Sequence, residues 1–86
     1  MKLNELRNEI DEIDQSMIEL FKRRMAVSKQ IGKIKHELGL PIFDPIREEI
    51  IIEKRQIQLN NEELWPYYRS FLLKLIEISK EYQHHE

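Results

Sequence analysis

The 86-residue chain is predicted to be an all-α protein of three helices, the first of them long. Apolar residues recur at three- and four-residue spacing through most of the chain, which is the period of a helix with one buried side. The prolines stand at positions 41, 45 and 66, where they divide the chain into three periodic segments. No stretch has the alternation typical of a half-buried β-strand.

The first helix is predicted from about Leu3 to Leu38. Its apolar seam is interrupted once, by an arginine, and consists of Leu3, Leu6, Ile10, Ile13, Met17, Leu20, Arg24, Val27, Ile31, Ile34 and Leu38. This 3-4 spacing is typical of a long helix that packs one side against another helix. Because a guanidinium is costly to desolvate without an anion, Arg24 is expected to meet an anionic partner.

Three further residues near the end of this helix carry predictions. Lys35 follows Arg24 by eleven residues, so it returns to nearly the same azimuth about 16 Å further along the axis. Arg24 and Lys35 therefore face the same side of the helix, separated by about the length of a small molecule. Gly32 is unfavourable in a helix interior, which predicts close packing of a backbone or a ligand. Gly39, followed by proline two residues later, is expected to end the helix.

The second helix is predicted to begin at Pro45, after Asp44. An aspartate accepts from the free amides of the first turn, and proline has no amide to leave unpaired there. The apolar face is predicted to contain Ile46, Ile50 and Ile57, widened by Ile51. Asn60 and Asn61 close the segment after about four turns.

The third helix is predicted to begin between Glu62 and Pro66, because proline is acceptable only in a first turn. Its predicted seam contains Tyr68, Phe71, Leu75, Ile78 and Tyr82, with Leu72 and Ile76 beside it. Ser79 and Gln83 are expected one turn apart at the edge of this stripe. The adjacent His84 and His85 face different ways on a helix, so they are a poor signal for a metal site.

Composition restricts the possible classes of protein. A chain of 86 residues fits one domain, residues 1–86, with a core thin enough to favour dimerisation. The absence of cysteine excludes disulfides and thiolate chemistry. A net charge of −2 argues against general nucleic-acid binding. Since the apolar residues are periodic and no signal pattern precedes them, we expect no membrane span and a cytoplasmic location.

Five side chains at core or core-edge positions could bind an anion: Arg24, Lys35, Arg47, Ser79 and Gln83. Nucleophilic catalysis is not supported, because there is no cysteine and no histidine before His36 to activate a serine. Taken singly, each of the five has an ordinary explanation, such as an internal ion pair for Arg24 or solvent exposure for Ser79. Together they favour a local, pocketed cationic site.

The residues that carry a family resemblance are Leu6-Arg7, Ile10, Ile13-Asp14, Arg24, Gly32-Lys33, Lys35, Asp44-Pro45-Ile46-Arg47-Glu48, Ser79 and Gln83. In these positions the chain resembles the all-helical type of chorismate mutase. The resemblance covers nearly the whole chain, and no matched position departs from the family pattern. It implies an intertwined homodimer of three-helix chains, whose long first helices cross between subunits. It also implies isomerisation of chorismate to prephenate, toward phenylalanine and tyrosine, with no metal and no cofactor.

The resemblance further implies roles for eight side chains. Arg7 of the partner chain and Arg24 would bind the two substrate carboxylates, with Arg47 and Ser79 supporting that end of the pocket. Lys35 and Gln83 would meet the ether oxygen. Asp44 and Glu48 would hold the ring hydroxyl. Lys35, Gln83, Arg24 and Glu48 are the residues expected to be catalytic.

Two other functions are compatible with the sequence. An isochorismate-pyruvate lyase would share the fold and a similar set of cations but would eliminate pyruvate. The acids Asp44 and Glu48 favour the mutase, because an acid that accepts from a ring hydroxyl suits chorismate. A non-catalytic helical dimer would bind no small molecule. The sequence leaves open whether the protein docks onto another shikimate-pathway enzyme.

Overall fold

A computed structural model of the chain describes residues 1–84, which form three α-helices. These are α1 (Lys2–Leu38), α2 (Pro45–Leu59) and α3 (Trp65–Gln83). No β-strand occurs in residues 1–84, so the predicted all-α class and the long first helix are confirmed. The predictions for His85 and for the domain end at Glu86 lie outside the described residues.

The helix ends follow the local signals in the sequence. Gly39 ends α1 with φ +68°, a left-handed conformation that glycine adopts without strain. Asp44 caps α2, because its Oδ1 accepts from the backbone N–H of Arg47 at 3.0 Å. Asn60 ends α2 with φ 47°, and asparagine tolerates this region better than most side chains. These three residues set the end of α1 and both ends of α2.

The third helix is the element on which the other two pack. Both α1 and α2 contact α3, and within residues 1–84 they do not pack on each other. The buried stripe of α3 is Leu72, Ile76 and Ser79. The prediction that Phe71 belongs to the buried seam is wrong for the single chain, since Phe71 is 49% exposed. The helix is rotated so that the predicted flank, Leu72 and Ile76, faces inward.

The predicted apolar face of α2 is wrong within one chain for Ile46, Ile50 and Ile57, whereas Ile51 is partly buried as predicted. Ile46 and Ile57 are more than two-thirds exposed. The residues of α2 that turn inward include Glu48, Ile51 and Arg55, all partly buried. Packing against α3 therefore selects a face of α2 that contains two charged side chains.

The seam of α1 remains exposed in the single chain. Its apolar members are between 41 and 67% exposed, and the residues that α1 buries are Ser28 and Gly32. The radius of gyration is 16.1 Å, whereas a compact chain of this length would have about 12 Å. The molecule is thus extended, with dimensions of 56 × 29 × 15 Å. Within residues 1–84, no helix has the length and apolarity needed to cross a membrane.

Gly32 allows α1 and α3 to approach closely. A Cβ at position 32 would lie 2.6 Å from the backbone oxygen of Gln83 and 2.9 Å from its Cα. Both atoms belong to the backbone of α3, so the helices themselves would have to separate. The predicted use of Gly32 for close backbone packing is confirmed.

We expect Gly32→Ala to destabilise the protein by about 1–3 kcal/mol, the usual cost of overpacking. The sign of this stability change is informative, because alanine in a helix interior is otherwise more stabilising than glycine by about 1 kcal/mol. Chemical denaturation would measure the change, with the exposed Gln30→Ala as the control in the same helix. A more stable Gly32→Ala variant would contradict the close approach.

Candidate active site

A cavity of about 340 Å³ lies between the three helices. Seven of the eight predicted substrate-binding residues line it: Arg24, Lys35, Asp44, Arg47, Glu48, Ser79 and Gln83. They come from α1, α2, α3 and the segment before α2. The volume is within the range of small-molecule sites. The fold therefore brings together side chains that are up to 59 positions apart in the sequence.

Arg24 and Ser79 form the contact between α1 and α3 in this cavity. Nη1 of Arg24 donates a hydrogen bond to Oγ of the buried Ser79. Burial lowers the pKa of the Arg24 guanidinium, and the charge of Arg55 lowers it further, although Tyr68 opposes this shift. No acidic side chain within residues 1–84 forms an ion pair with Arg24. The alternative that Arg24 pairs with an internal glutamate is wrong for the described chain.

Lys35 is held near the N-terminus of α2 by the segment that connects α1 and α2. Its Nζ donates to the backbone oxygen of Ile42 at 3.0 Å. The ammonium has three donors, so two remain for another acceptor. Arg24 and Lys35 thus line one cavity from the same helix, as their spacing predicts.

The two acids of the cavity already have partners. Oε2 of Glu48 lies 3.1 Å from Nζ of Lys80, and Lys80 also lies over the ring of Phe43 at 4.7 Å from its centroid. Asp44 is exposed and accepts from the backbone of Arg47. These contacts neutralise Glu48 and orient Asp44, so the free positive charge of the cavity is carried by arginine and lysine.

Gln83 brings a neutral amide to the cavity. Its Oε1 is buried and has no hydrogen-bond partner within residues 1–84. A buried polar atom without a partner costs about 1–3 kcal/mol. Because the amide oxygen and nitrogen can exchange places by a flip of the group, either atom is available to a ligand in the cavity.

The sequence prediction missed two charged residues of the cavity, Arg55 and Lys80. Arg55 stands seven residues after Glu48, which places it on the same face of α2 two turns later. This spacing could have identified it, but the sequence analysis considered only the apolar residues of α2 at these positions. Lys80 had no distinguishing signal in the sequence. Aliphatic residues complete the walls: Val27, Ile31, Ile42, Ile51 and Ile76.

Arg7 is the predicted residue that the single chain does not bring to the cavity. It is exposed on α1 and lies seventeen residues before Arg24, about 25 Å along the helix axis. The helix is continuous between them. Any contact of Arg7 with a ligand in this kind of cavity must therefore come from another chain.

Two larger grooves lack this combination of groups. One, of about 690 Å³, is mainly apolar and contains Met17, Phe21, Phe71 and Ile78. The other, of about 930 Å³, has exposed cations such as Lys29 and Lys33, and residues 1–84 contribute no carboxylate to it. The smaller cavity is the one that combines buried hydrogen-bonding groups, acids and cations, so we take it as the candidate active site.

The arrangement is suited to binding a small dianion. Within residues 1–84 there is no group of three or more His, Cys, Asp or Glu that could hold a metal ion. The cavity offers fixed donors on several sides, and planar guanidinium groups bind carboxylates through two parallel hydrogen bonds. It can therefore orient a dicarboxylate and stabilise negative charge that develops on it.

Comparisons with known proteins identify similar chains. A family model described as chorismate mutase type II matches residues 6–84. The chain is 43% identical over 56 residues to the T-protein of Haemophilus influenzae, a match of 65% of this chain and 15% of that protein. It is 43% identical over 53 residues to the chorismate mutase of Methanocaldococcus jannaschii, covering 62% of this chain and 54% of that one.

A third relative and one solved structure extend the comparison. The chain is 46% identical over 61 residues to the bifunctional chorismate mutase/prephenate dehydratase of Aquifex aeolicus, covering 71% of this chain and 17% of that protein. The chain therefore spans about half or less of the length of these three relatives. A solved conserved hypothetical protein from Pyrococcus furiosus has a TM-score of 0.81 and 39% identity, covering 98% of this chain and 97% of that one.

We expect Arg24→Met to leave the helical content unchanged and the melting temperature of the ligand-free protein equal or higher. The substitution removes a partly buried charge that has no acidic partner in the described chain and keeps an unbranched side chain. The Ser79 hydroxyl can then bond to its own helix backbone. Circular dichroism during heating would measure this, with the exposed Arg69→Met as the control. A loss of stability well beyond the control would contradict the assignment of Arg24 to a ligand.

Proposed function

Because the chain belongs to the chorismate mutase type II family, we propose that it isomerises chorismate to prephenate in the biosynthesis of phenylalanine and tyrosine. The observation that carries this proposal is the single cavity lined by seven of the eight residues expected from the family pattern. The described cavity contains cations, a hydroxyl and an amide in place of a nucleophile activated by a base. This set of groups suits the proposed reaction.

The reaction requires no proton transfer. Chorismate rearranges by a concerted [3,3] shift, in which one carbon–oxygen bond breaks while one carbon–carbon bond forms. An enzyme can accelerate such a step by holding the reactive conformer and by aiming donors at the oxygen that gains negative charge. Fixed cations in a cavity that is partly shielded from water are suited to both tasks.

Arg24 and Arg47 are proposed to bind carboxylate oxygens of the substrate, and Ser79 is proposed to orient Arg24. The hydrogen bond from Arg24 to Ser79 supports this role, since it limits the positions of the guanidinium. Lys35 and Gln83 are proposed to donate to the ether oxygen. The buried amide oxygen of Gln83 without a partner supports this role, because a flip of the amide would place its nitrogen, a donor, in that position. The hydrogen bonds from Lys35 and Gln83 to the ether oxygen would become stronger in the transition state, because this oxygen becomes more negative.

Glu48 and Asp44 are proposed to accept from the ring hydroxyl. Glu48 is the better placed of the two, because it is partly buried in the cavity and its Oε2 is held by the ion pair with Lys80. Asp44 can contribute a second oxygen while its first remains bonded to the amide of Arg47. An ionised carboxylate accepts hydrogen bonds only, so a substrate hydroxyl is a suitable donor.

We further propose that the working unit is an intertwined homodimer. The chain exposes 7452 Å², whereas a compact monomer of 10.6 kDa would expose about 5,500 Å². The excess, about 2,000 Å² per chain, is of the size that obligate dimers bury. The exposed seam of α1 and the apolar groove formed by Met17, Phe21 and Phe71 would be the surfaces covered.

Such a dimer would complete the cavity with Arg7 of the second chain. Two long helices that pack antiparallel along their seams would bring residues near the beginning of one toward the second half of the other. The docking of the protein onto another shikimate-pathway enzyme is supported by the name of the Aquifex relative, which joins two activities in one protein. Docking and the cytoplasmic location both stay predictions.

The proposed function is tested by adding purified protein to chorismate without metal or cofactor. We expect the ultraviolet absorption of chorismate to decrease and prephenate to accumulate, identified by nuclear magnetic resonance. A parallel reaction with isochorismate tests for pyruvate release. Failure to consume chorismate would contradict the proposal, and pyruvate release from isochorismate alone would favour the lyase.

Gln83→Glu should make the activity strongly dependent on pH. At neutral pH the introduced carboxylate would repel the ether oxygen as it becomes negative, so turnover should fall by an order of magnitude or more. On acidification the carboxyl becomes protonated and can donate a hydrogen bond, so activity should recover. Initial rates between pH 4.5 and 8 would measure this, with Gln30→Glu as the exposed control. A profile like that of the wild type would mean that Gln83 does not contact the reacting oxygen.

Mixing two inactive variants tests the shared site. Arg7→Ala and Lys35→Ala homodimers should each be nearly inactive. After joint unfolding and refolding in equal amounts, half of the dimers should be mixed, and each should contain one intact site, which restores up to about a quarter of wild-type activity.

Each variant refolded alone is the control for this experiment, and mass spectrometry of the native assemblies would measure the mixed dimers. If mixed dimers form and the mixture stays inactive, Arg7 does not act across the subunit interface.

A further inference from the structure

Arg55 is a cavity residue to which neither the sequence patterns nor the family resemblance assigns a role. It lines the same cavity as Arg24 and is partly buried. Its Nη1 donates to Oε1 of Gln58 one turn later, at 3.1 Å. This hydrogen bond uses one of the five N–H donors of the guanidinium. The remaining donors are available for a ligand.

The two arginines have no acid between them in the described chain. The ion pairs within residues 1–84 involve neither Arg24 nor Arg55. The nearest acids of the cavity are occupied, since Glu48 pairs with Lys80 and Asp44 caps α2. The positive charge of Arg55 acts electrostatically on Arg24 and helps to lower the pKa of its guanidinium.

Two partly buried cations in one cavity repel each other unless an anion lies between them. A carboxylate has two oxygens and can accept from two guanidinium groups at once. The part-buried hydrogen bond from Arg24 to Ser79 holds the first group before a ligand arrives, and the exposed hydrogen bond from Arg55 to Gln58 restricts the second. This preorganisation reduces the entropy that binding must otherwise lose.

We propose that Arg55 binds a substrate carboxylate together with Arg24 and so determines the affinity of this site for its dicarboxylate. The inference rests on the proposed function and deepens it. Both arginines belong to one chain, so this carboxylate would be held without a contribution from the partner. The other carboxylate would then face the remaining cations of the cavity.

The proposal predicts an effect on KM rather than kcat. A carboxylate that does not take part in bond making is bound about equally in the ground state and in the transition state, and loss of such binding raises KM with kcat nearly unchanged. Arg55→Gln should raise KM for chorismate by about tenfold or more, the size expected for a charge-assisted hydrogen bond. Its kcat should change by less than about threefold.

Arg55→Lys keeps the charge without the planar pair of donors, so its KM should lie between those of the wild type and Arg55→Gln. Lys54→Gln is the matched control, because Lys54 is the adjacent residue of α2, is exposed and does not line the cavity. Its KM should stay within about twofold of the wild type, the range expected for a solvated surface charge.

Binding of prephenate, measured by calorimetry, separates the two proposals. Its Kd should rise for Arg55→Gln in parallel with KM, and the melting temperature of the ligand-free variant should not fall. Equal KM and Kd values for Arg55→Gln and Lys54→Gln would overturn the proposal, as would a lower melting temperature with unchanged KM, which indicates a structural partner. If the wild type does not consume chorismate, the proposed function fails, and the effect of Arg55→Gln on prephenate binding still decides the role of Arg55.

Discussion

The close approach of α1 and α3 at Gly32 and Gln83 determines the positions of most groups in the cavity. Because α1 and α2 do not pack on each other within residues 1–84, each is positioned through α3. The missing side chain at position 32 lets the backbone of Gln83 lie against α1. This contact brings Ser79, one turn earlier, within reach of Arg24. If α1 and α3 were further apart, Ser79 and the amide of Gln83 would both lie further from Arg24.

The electrostatics of the cavity differ from those of the whole chain. The formal net charge of the protein is −2, but the cavity contains five cations and two acids. One acid is neutralised by Lys80 and the other serves as a helix cap. The surplus of positive charge is stable in the free protein because most of these groups are only partly buried. A dianion would remove the remaining repulsion, which connects the stability of the site with its affinity.

The helix ends and seven of the residues that line the cavity could be predicted from the sequence, but the packing of helix faces could not. Gly39, Asp44 and Asn60 act through local backbone geometry, so their effect is independent of the partner helix. Phe71 and Ile46 were assigned to buried faces because apolar residues occur on more than one side of each helix. A single chain buries only some of these sides. The role of Arg55 depends on which face of α2 turns toward α3, and this is a tertiary property.

A crystal structure with an inert ligand is the most direct test of the proposal that the cavity binds a dianion and is shared by two chains. A bicyclic dicarboxylate shaped like the transition state would be suitable, because it cannot rearrange. We expect one ligand per chain between the three helices, with a carboxylate at Arg24, the ether oxygen at Lys35 and Gln83, and Arg7 contributed by the partner chain. A ligand bound elsewhere, or an acidic side chain paired with Arg24 in the complex, would contradict it.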